Sequence, residues 1–328
     1  MINRAMLYSK FIRYDILRNM ITDTPSMKDM IDKPLDIFID IQSVYKDVLA
    51  TEFMGNDIKI LAVNVLNMAA HYRHFFRNLL NQEVRVFLVN SQVNLSGNIC
   101  EITNSENDDM FSIVKSLCKY FPDIYYIYKK GYNASTIIFQ LINTYTMIVP
   151  VHCSSIVISN DVYAYQLPTL IPICWMLRLG VKHKYIVTAN NAIESYFKNT
   201  TPSTGLRQQL LPMIMAFNKC KELNLPLLFP YKTALNKVRE LIDKHAILNG
   251  YNIPNSAFEI NVGIMGILAR WTLCDLQSQS VIYMNSIDVI DDTWKVKRKC
   301  DFSELAAILD DKFNCDPDNI LNYIYLLE

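Results

Sequence analysis

Glycine is scarce in this chain, at 8 residues in 328. An average composition of about 7% would supply roughly three times as many. Phosphate-cradling loops and tight hairpins are built from glycine, because a backbone without Cβ approaches ligands closely and turns through positive φ. The shortage argues against a nucleotide-binding loop, and no Walker-type or dinucleotide-binding motif stands against that. Excess charge of one sign is also missing. Lys+Arg and Asp+Glu each number 32, for a net charge of zero. Proteins that grip nucleic acid mainly through phosphates usually carry a basic excess or a basic face, so any such surface here is local. Met1-Ile2-Asn3-Arg4 opens without a signal-peptide pattern. The apolar stretch Leu167 to Leu179 is broken by Pro168, Pro172 and Arg178 and is too short to span a bilayer. No membrane association is expected. The eight cysteines form no CxxC pair and no zinc-like spacing. Most sit among apolar neighbours, as buried thiols do, which predicts a reducing, cytoplasmic compartment.

What is present is apolar bulk. Half the residues, 51%, are hydrophobic, well above a disordered composition, and the length suits one large α/β domain or two smaller ones. Richness in Asn, Ile, Tyr and Lys resembles the product of an AT-rich genome, such as many viruses have. A viral protein, and with it a place in a virion, is therefore one expectation.

Along the chain, residues 1–33 read as an N-terminal helical extension with a break at Pro25, ended by Pro34. Residues 34–200 read as an α/β core. Leu35 to Asp40 is a β-branched and aromatic run typical of a buried strand. The strongly periodic Ile58 to Leu80 predicts a long helix, and Glu83 to Asn90 a second strand. Polar residues 91–110 read as an exposed loop. A helix over Phe111 to Lys119, a strand over Asp123 to Tyr128, a helix over Tyr132 to Thr146 and a strand over Ser154 to Ser159 follow. This alternation implies a mainly parallel sheet with helices on its faces. Residues 201–250 read as helical, over Leu206 to Lys221 and Thr233 to Leu248. Residues 251–328 form a C-terminal extension without an assignable role, closing on a helix capped by Asp316 with Pro317 at its first position.

Four segments, in order, carry a resemblance. They are Ile37-Phe38-Ile39-Asp40; Gly131-Tyr132-Asn133-Ala134-Ser135-Thr136-Ile137-Ile138; Ser159-Asn160-Asp161-Val162-Tyr163-Ala164-Tyr165-Gln166-Leu167; and Asn224-Leu225-Pro226 with Pro230-Tyr231-Lys232-Thr233-Ala234-Leu235. Together they resemble the 5′-nuclease family of flap endonucleases and phage 5′-3′ exonucleases, within the PIN-like group. That family writes the second segment Gly-Tyr-Glu-Ala-Asp-Asp-Ile-Ile and the third Ser-Gly-Asp-Lys-Asp-Leu-Tyr-Gln-Leu. Its fourth contains Gly-Pro-Lys-Thr-Ala, in a helical hairpin that grips duplex backbone. The resemblance covers residues 35 to 245 and implies a mainly parallel sheet flanked by helices, then a mostly helical C-terminal part.

The resemblance also implies a metal site, and here the sequence departs from the pattern. Two-metal phosphodiester hydrolysis needs paired cations, and magnesium takes oxygen ligands. Asp40 and Asp161 keep the family's carboxylates. Asn90, Asn133, Ser135, Thr136 and Tyr163 stand where the resemblance places acids, while the packing residues Tyr132, Ala134, Ile137, Ile138, Tyr165, Gln166 and Leu167 remain. In the hairpin, Leu228, Phe229 and Pro230 replace glycines that admit phosphate. The expectation drawn from this selectivity is a chain that is not an enzyme. No catalytic residues and no cofactor are expected, beyond a weakly held magnesium ion at Asp40 and Asp161. Its job would be structural or in assembly, with a protein partner or a second copy, in a virus particle or replication complex. Aromatic content, 19 Tyr and 15 Phe, favours an interface, and no small-molecule substrate is expected. The first alternative is a non-catalytic nucleic-acid-binding protein using the former DNA face. The second is an active metal-dependent nuclease with a reorganised site.

Candidate contacts to nucleic acid or a partner are Arg73 and Arg77, on one helix face with His71 and His74, together with Lys129, Lys130 and Lys232. The densest basic run is Lys295, Lys297, Arg298 and Lys299. Asp108-Asp109 and Asp291-Asp292 read as solvated charge. His152 beside Cys153 reads as structural, since nothing places a third orienting group.

Overall fold

The computed structural model describes residues 34–44, 58–91, 105–121, 123–129, 132–148, 154–178, 185–198, 205–218, 229–243, 274–277 and 307. The expected N-terminal helix, the terminal helices, His152-Cys153, Asp291-Asp292 and the run at 295–299 lie outside these residues.

The chain alternates as its periodicity predicts: β1 (Leu35–Asp40), the short α1 (Ile41–Val44), α2 (Ile58–Leu80), β2 (Val84–Ser91), α3 (Ser105–Cys118), β3 (Ile124–Lys129), α4 (Ala134–Ile148) and β4 (Ser154–Ile158). A 3-10 turn (Tyr163–Gln166) and α5 (Leu167–Leu170) lead into β5 (Cys174–Arg178), then β6 (Tyr185–Val187) and α6 (Ala192–Phe197). A second 3-10 turn (Gln208–Leu210), α7 (Leu211–Phe217) and α8 (Tyr231–Asp243) follow. The sheet order is β3-β2-β1-β4-β5-β6. The first five strands are parallel, and β6 runs antiparallel to β5. The expected mainly parallel sheet flanked by helices is thus the architecture observed.

Strand alternation sorts the core into two layers. Leu35, Ile37 and Ile39 of β1 face a cluster with Val65, Ala69 and Phe76 of α2 and Val114 and Leu117 of α3. Phe38 of β1, with Phe87 and Val89 of β2, faces the opposite cluster, which gathers Ile137, Ile138 and Leu141 of α4 with residues of α6, α7 and α8. Phe38, Phe87 and Tyr125 stack across three strands at centroid distances of 4.9 and 5.2 Å. Both faces of a parallel sheet are covered, which is why its strands read as continuous apolar runs rather than alternating ones.

Three expectations need correction. Helix α3 begins at Ser105, inside the stretch read as a loop; Ser, Asn and acidic residues are equally the composition of a helix's first turn. Strands β5 and β6 were not expected: Pro168 and Pro172 interrupt the apolar run that holds β5, and β6 is only three residues long. Pro168 sits in the first turn of α5, where no N–H is required, and Pro172 lies in the turn before β5. Residues 206–217 hold a 3-10 turn and a seven-residue helix rather than one long helix, with Pro212 in the first turn of α7.

The shortage of glycine leaves its mark on the turns. Asn81, Asp123, Ile173 and Lys198 adopt positive φ between 51° and 59°. Asn and Asp tolerate that region; β-branched Ile173 is strained there.

Two ion pairs sit toward the amino ends of the strands. Arg85 Nε and Nη2 donate to Asp36 Oδ1 and Oδ2, both at 2.7 Å. Arg73 Nη2 donates to Asp123 Oδ2 at 2.7 Å, and its Nε donates to the carbonyl of Val84. No helix among the described residues is long and apolar enough to cross a membrane.

Candidate functional site

Parallel strands bring their carboxyl ends to one edge of the sheet. The chain runs outward from β1 through β2 to β3, then returns to pair β4 with the other side of β1. The switch in direction therefore falls between β1 and β4, where two adjacent connections leave the edge in opposite directions and open a crevice. Asp40 ends β1, and Ser159-Asn160-Asp161 follows β4, so both surviving aspartates stand at that point.

One serine joins them. Ser159 Oγ donates to Asp40 Oδ2 at 2.8 Å and accepts the N–H of Asp161 at 3.0 Å. The backbone N–H of Ser43 donates to Asp40 Oδ1 at 3.2 Å, and Ser43 Oγ lies 3.2 Å from Ser159 Oγ. Asn160 N–H donates to Ser43 Oγ at 3.0 Å. On the other side, Ser135 Oγ donates to Asp161 Oδ2 at 2.8 Å, while Asp161 Oδ1 accepts the N–H of Tyr163 at 3.3 Å. Ser159 stands within the third resembling segment and Ser43 just beyond the first, and neither is singled out by the sequence pattern. The signal lay in small hydroxyl residues directly after strand ends.

Asp40 is 2% exposed. Burial raises its carboxyl above the ordinary range, opposed only by hydrogen bonds from Ser159 and from Ser43 and the Gln42 backbone. No cation is among the groups that oppose the rise. A buried carboxylate relieved only by hydroxyls and backbone N–H groups still favours a positive charge beside it.

Two carboxylates ringed by hydroxyls are an oxygen donor set that suits one magnesium ion keeping several waters. They do not suit paired cations. Among the described residues, no group of three or more His, Cys, Asp or Glu stands close enough to hold a metal. Asp40, Asp161 and neighbouring hydroxyls would hold such an ion, which when bound would supply charge to a phosphate oxygen.

The substituted positions divide. Asn133 caps α4, its Oδ1 accepting the N–H of Thr136 at 2.7 Å, as an N-cap does for the third residue of a helix. Ser135 and Thr136 are buried, at 0% and 1% exposure, and Ser135 bonds Asp161 as above. Tyr163 is buried and opens the 3-10 turn. Asn90 reaches the carboxyl edge, but alternation puts it on the face of Leu88 rather than that of Asp40. There its Nδ2 donates to the Tyr126 hydroxyl at 2.8 Å.

The basic candidates divide as well. The structure places Arg73 away from this edge: it is buried and engaged with Asp123 at the amino ends of the strands, so it is not offered to nucleic acid. Helical spacing correctly grouped it with Arg77 and His74 but gave no sign that this end of α2 reaches the opposite edge. Lys129 ends β3, in register with Ser91 of β2, and so lies on the carboxyl edge. Lys232 is exposed in the first turn of α8. Lys130 lies outside the described residues. Asp108 and Asp109 belong to α3 by their backbone.

The described parts of the four resembling segments lie at the end of β1, the start of α4, the connection after β4 and the start of α8, while Gly131 and Asn224-Leu225-Pro226 lie outside the described residues. No protein-family model and no curated protein matches the sequence. Among solved structures, the chain is similar to two of the catalytic core of Rad2 in complex with DNA substrate. The first is 12% identical with a TM-score of 0.48 and the second 12% identical with a TM-score of 0.45; each covers 92% of this chain and 93% of that chain. That likeness shows the fold alone; the expectation that the chain is not an enzyme is set aside, since both structures are of a catalytic core holding DNA.

Proposed function

We propose that this chain binds nucleic acid at the carboxyl edge of its sheet, through one hydrated divalent cation held by Asp40 and Asp161. The observation that carries this reading is the meeting of Asp40 and Asp161 at the switch point, where the Ser159 hydroxyl donates to the Asp40 carboxylate and accepts the backbone N–H of Asp161. Ligands of open α/β sheets bind in that crevice, and a cation there offsets both the buried charge of Asp40 and the charge of an incoming phosphate. Lys129 and Lys232 add local positive charge to a neutral chain. The DNA held by the solved structures described above is consistent with this partner.

A structural role with a protein partner or second copy has support in composition, from its 19 Tyr and 15 Phe. The described residues favour it less, because Tyr128, at 39%, is the one large hydrophobic side chain among them that is exposed. A reducing compartment is supported by Cys118, Cys174 and Cys274, which are buried free thiols.

The test is binding of flap, nicked and single-stranded DNA in magnesium or in chelator, across a salt series. Affinity should fall steeply with salt, rise with magnesium, and lose its magnesium dependence in Asp161→Asn. Equal affinity in magnesium and chelator would overturn the proposal. The same samples report cleavage, and cleavage abolished by Asp161→Asn would place the pair at the scissile phosphate.

A further inference from the structure

Gln166 ends the 3-10 turn that begins just after Asp161, and it is fully buried, at 0% exposure. Both halves of its amide are used on one distant stretch of backbone. Its Nε2 donates to the carbonyl of Cys274 at 2.6 Å, and its Oε1 accepts the N–H of Leu276 at 3.1 Å. Cys274 and Leu276 are themselves at 0% exposure, within the same core layer as Tyr163, Tyr165 and Met215. A side-chain amide bonded to the carbonyl of one residue and the N–H of the residue two positions on reproduces the pairing of a neighbouring strand. In a dry core neither contact has water as a substitute.

The other end of the same turn is tied to the candidate site. Tyr163 N–H donates to Asp161 Oδ1, and Ala164 N–H donates to the Asp161 carbonyl at 3.2 Å. The turn is four residues long, so the clamp and the carboxylate are separated by one rigid, wholly buried unit. We infer that residues 274–276 are a strap that sets the position of Asp161, acting through Gln166. Gln166 is thus a positioning residue, and part of the region C-terminal to α8 is integral to the site. This rests on the cation reading for its functional consequence, and on the hydrogen bonds alone for the strap itself.

The experiment measures amide exchange over residues 163–166 and 274–277, together with manganese affinity, in the full chain carrying Gln166→Ala, Gln166→Glu or Asp161→Asn. Expected for Gln166→Ala is exchange at Leu276 faster by about tenfold or more, with faster exchange at Tyr163 and Ala164 and a several-fold loss of manganese affinity. Gln166→Glu keeps an acceptor for Leu276 but sets a buried carboxylate against the carbonyl of Cys274, so at neutral pH it should disturb exchange at least as much as Gln166→Ala. Circular dichroism confirms that each variant is folded. Unchanged exchange at Leu276 in Gln166→Ala overturns the strap. Faster exchange at Leu276 with unchanged exchange at Tyr163 and unchanged manganese affinity overturns the positioning role. If the parent binds no manganese that Asp161→Asn removes, the cation reading fails, and exchange at residues 163–166 still decides whether the strap sets the turn.

Discussion

The two edges of the sheet treat their carboxylates in opposite ways. At the amino edge, Asp36 meets both nitrogens of an Arg85 fork, and Asp123 meets Arg73. At the carboxyl edge, Asp40 is as deeply buried as Asp36, yet among the described residues it meets only hydroxyls and backbone N–H groups. In both Asp36 and Asp40, burial is the largest influence and raises the carboxyl, but only Asp36 has a guanidinium opposing it. An edge that needed nothing but stability would be expected to look like the first. The second buries a carboxylate that no cation among the described residues meets, the kind of arrangement in which stability is traded for binding under the proposed reading.

The largest effect should come from breaking the satisfied edge. Arg85→Ala strands a buried carboxylate and should cost about 3 kcal/mol, read by urea unfolding; a cost below 1 kcal/mol would erase the contrast. Next, magnesium should stabilise the parent by roughly 1.4 kcal/mol for each tenfold excess over its dissociation constant. Asp40→Asn and Asp161→Asn should show no such gain in thermal melts. A gain of equal size in both variants would place the ion elsewhere.

Third, Asp40→Asn should stabilise the metal-free protein at pH 7 on the order of 1 kcal/mol. The sign follows from the raised carboxyl. Above its folded-state pKa the native protein carries an unfavourable buried charge, and as pH falls through that pKa toward the ordinary value of 3.8 the proton relieves it. The advantage of Asp40→Asn should therefore fade on acidification, as differential melting from pH 7 to pH 4 would show. An advantage that grows on acidification contradicts the assignment. Smallest and sharpest is Asn133→Ala, which should cost about 1 kcal/mol through the lost cap of α4, and Asn133→Asp should restore most of it. If Asn133→Ala costs nothing, the residue is not the capping group described here.

Much of this arrangement was legible in the sequence, for identifiable reasons. Ile58–Leu80 was readable because helical periodicity persists for 23 residues. Strands β1 to β4 were readable because a parallel sheet covered on both faces makes unbroken apolar runs. Asp40 and Asp161 came forward through the resemblance of their segments to the 5′-nuclease family, and parallel strands bring those two segments to one edge. Strand β5 was not, since prolines that belong to the turns before it resemble breaks within it. Nor was the role of Arg73, because spacing along a helix says which residues share a face and nothing about which edge of the sheet that helix end reaches. Gln166 carried no local signal at all: its partners lie 108 and 110 residues away.

Those separations set a schedule for the newborn chain. Strands β1, β2 and β3 are consecutive in the sequence and can assemble as soon as residue 129 has left the ribosome. The bond between Asp40 and Ser159 spans 119 residues, and the one between Gln166 and Leu276 must await a still later stretch. Distant contacts of this kind form slowly, because a long loop has to close before they repay it. The amino edge with its guanidinium pairs can thus be complete early, whereas the contacts around Asp40, Asp161 and Gln166 wait for residues more than a hundred positions further along the chain.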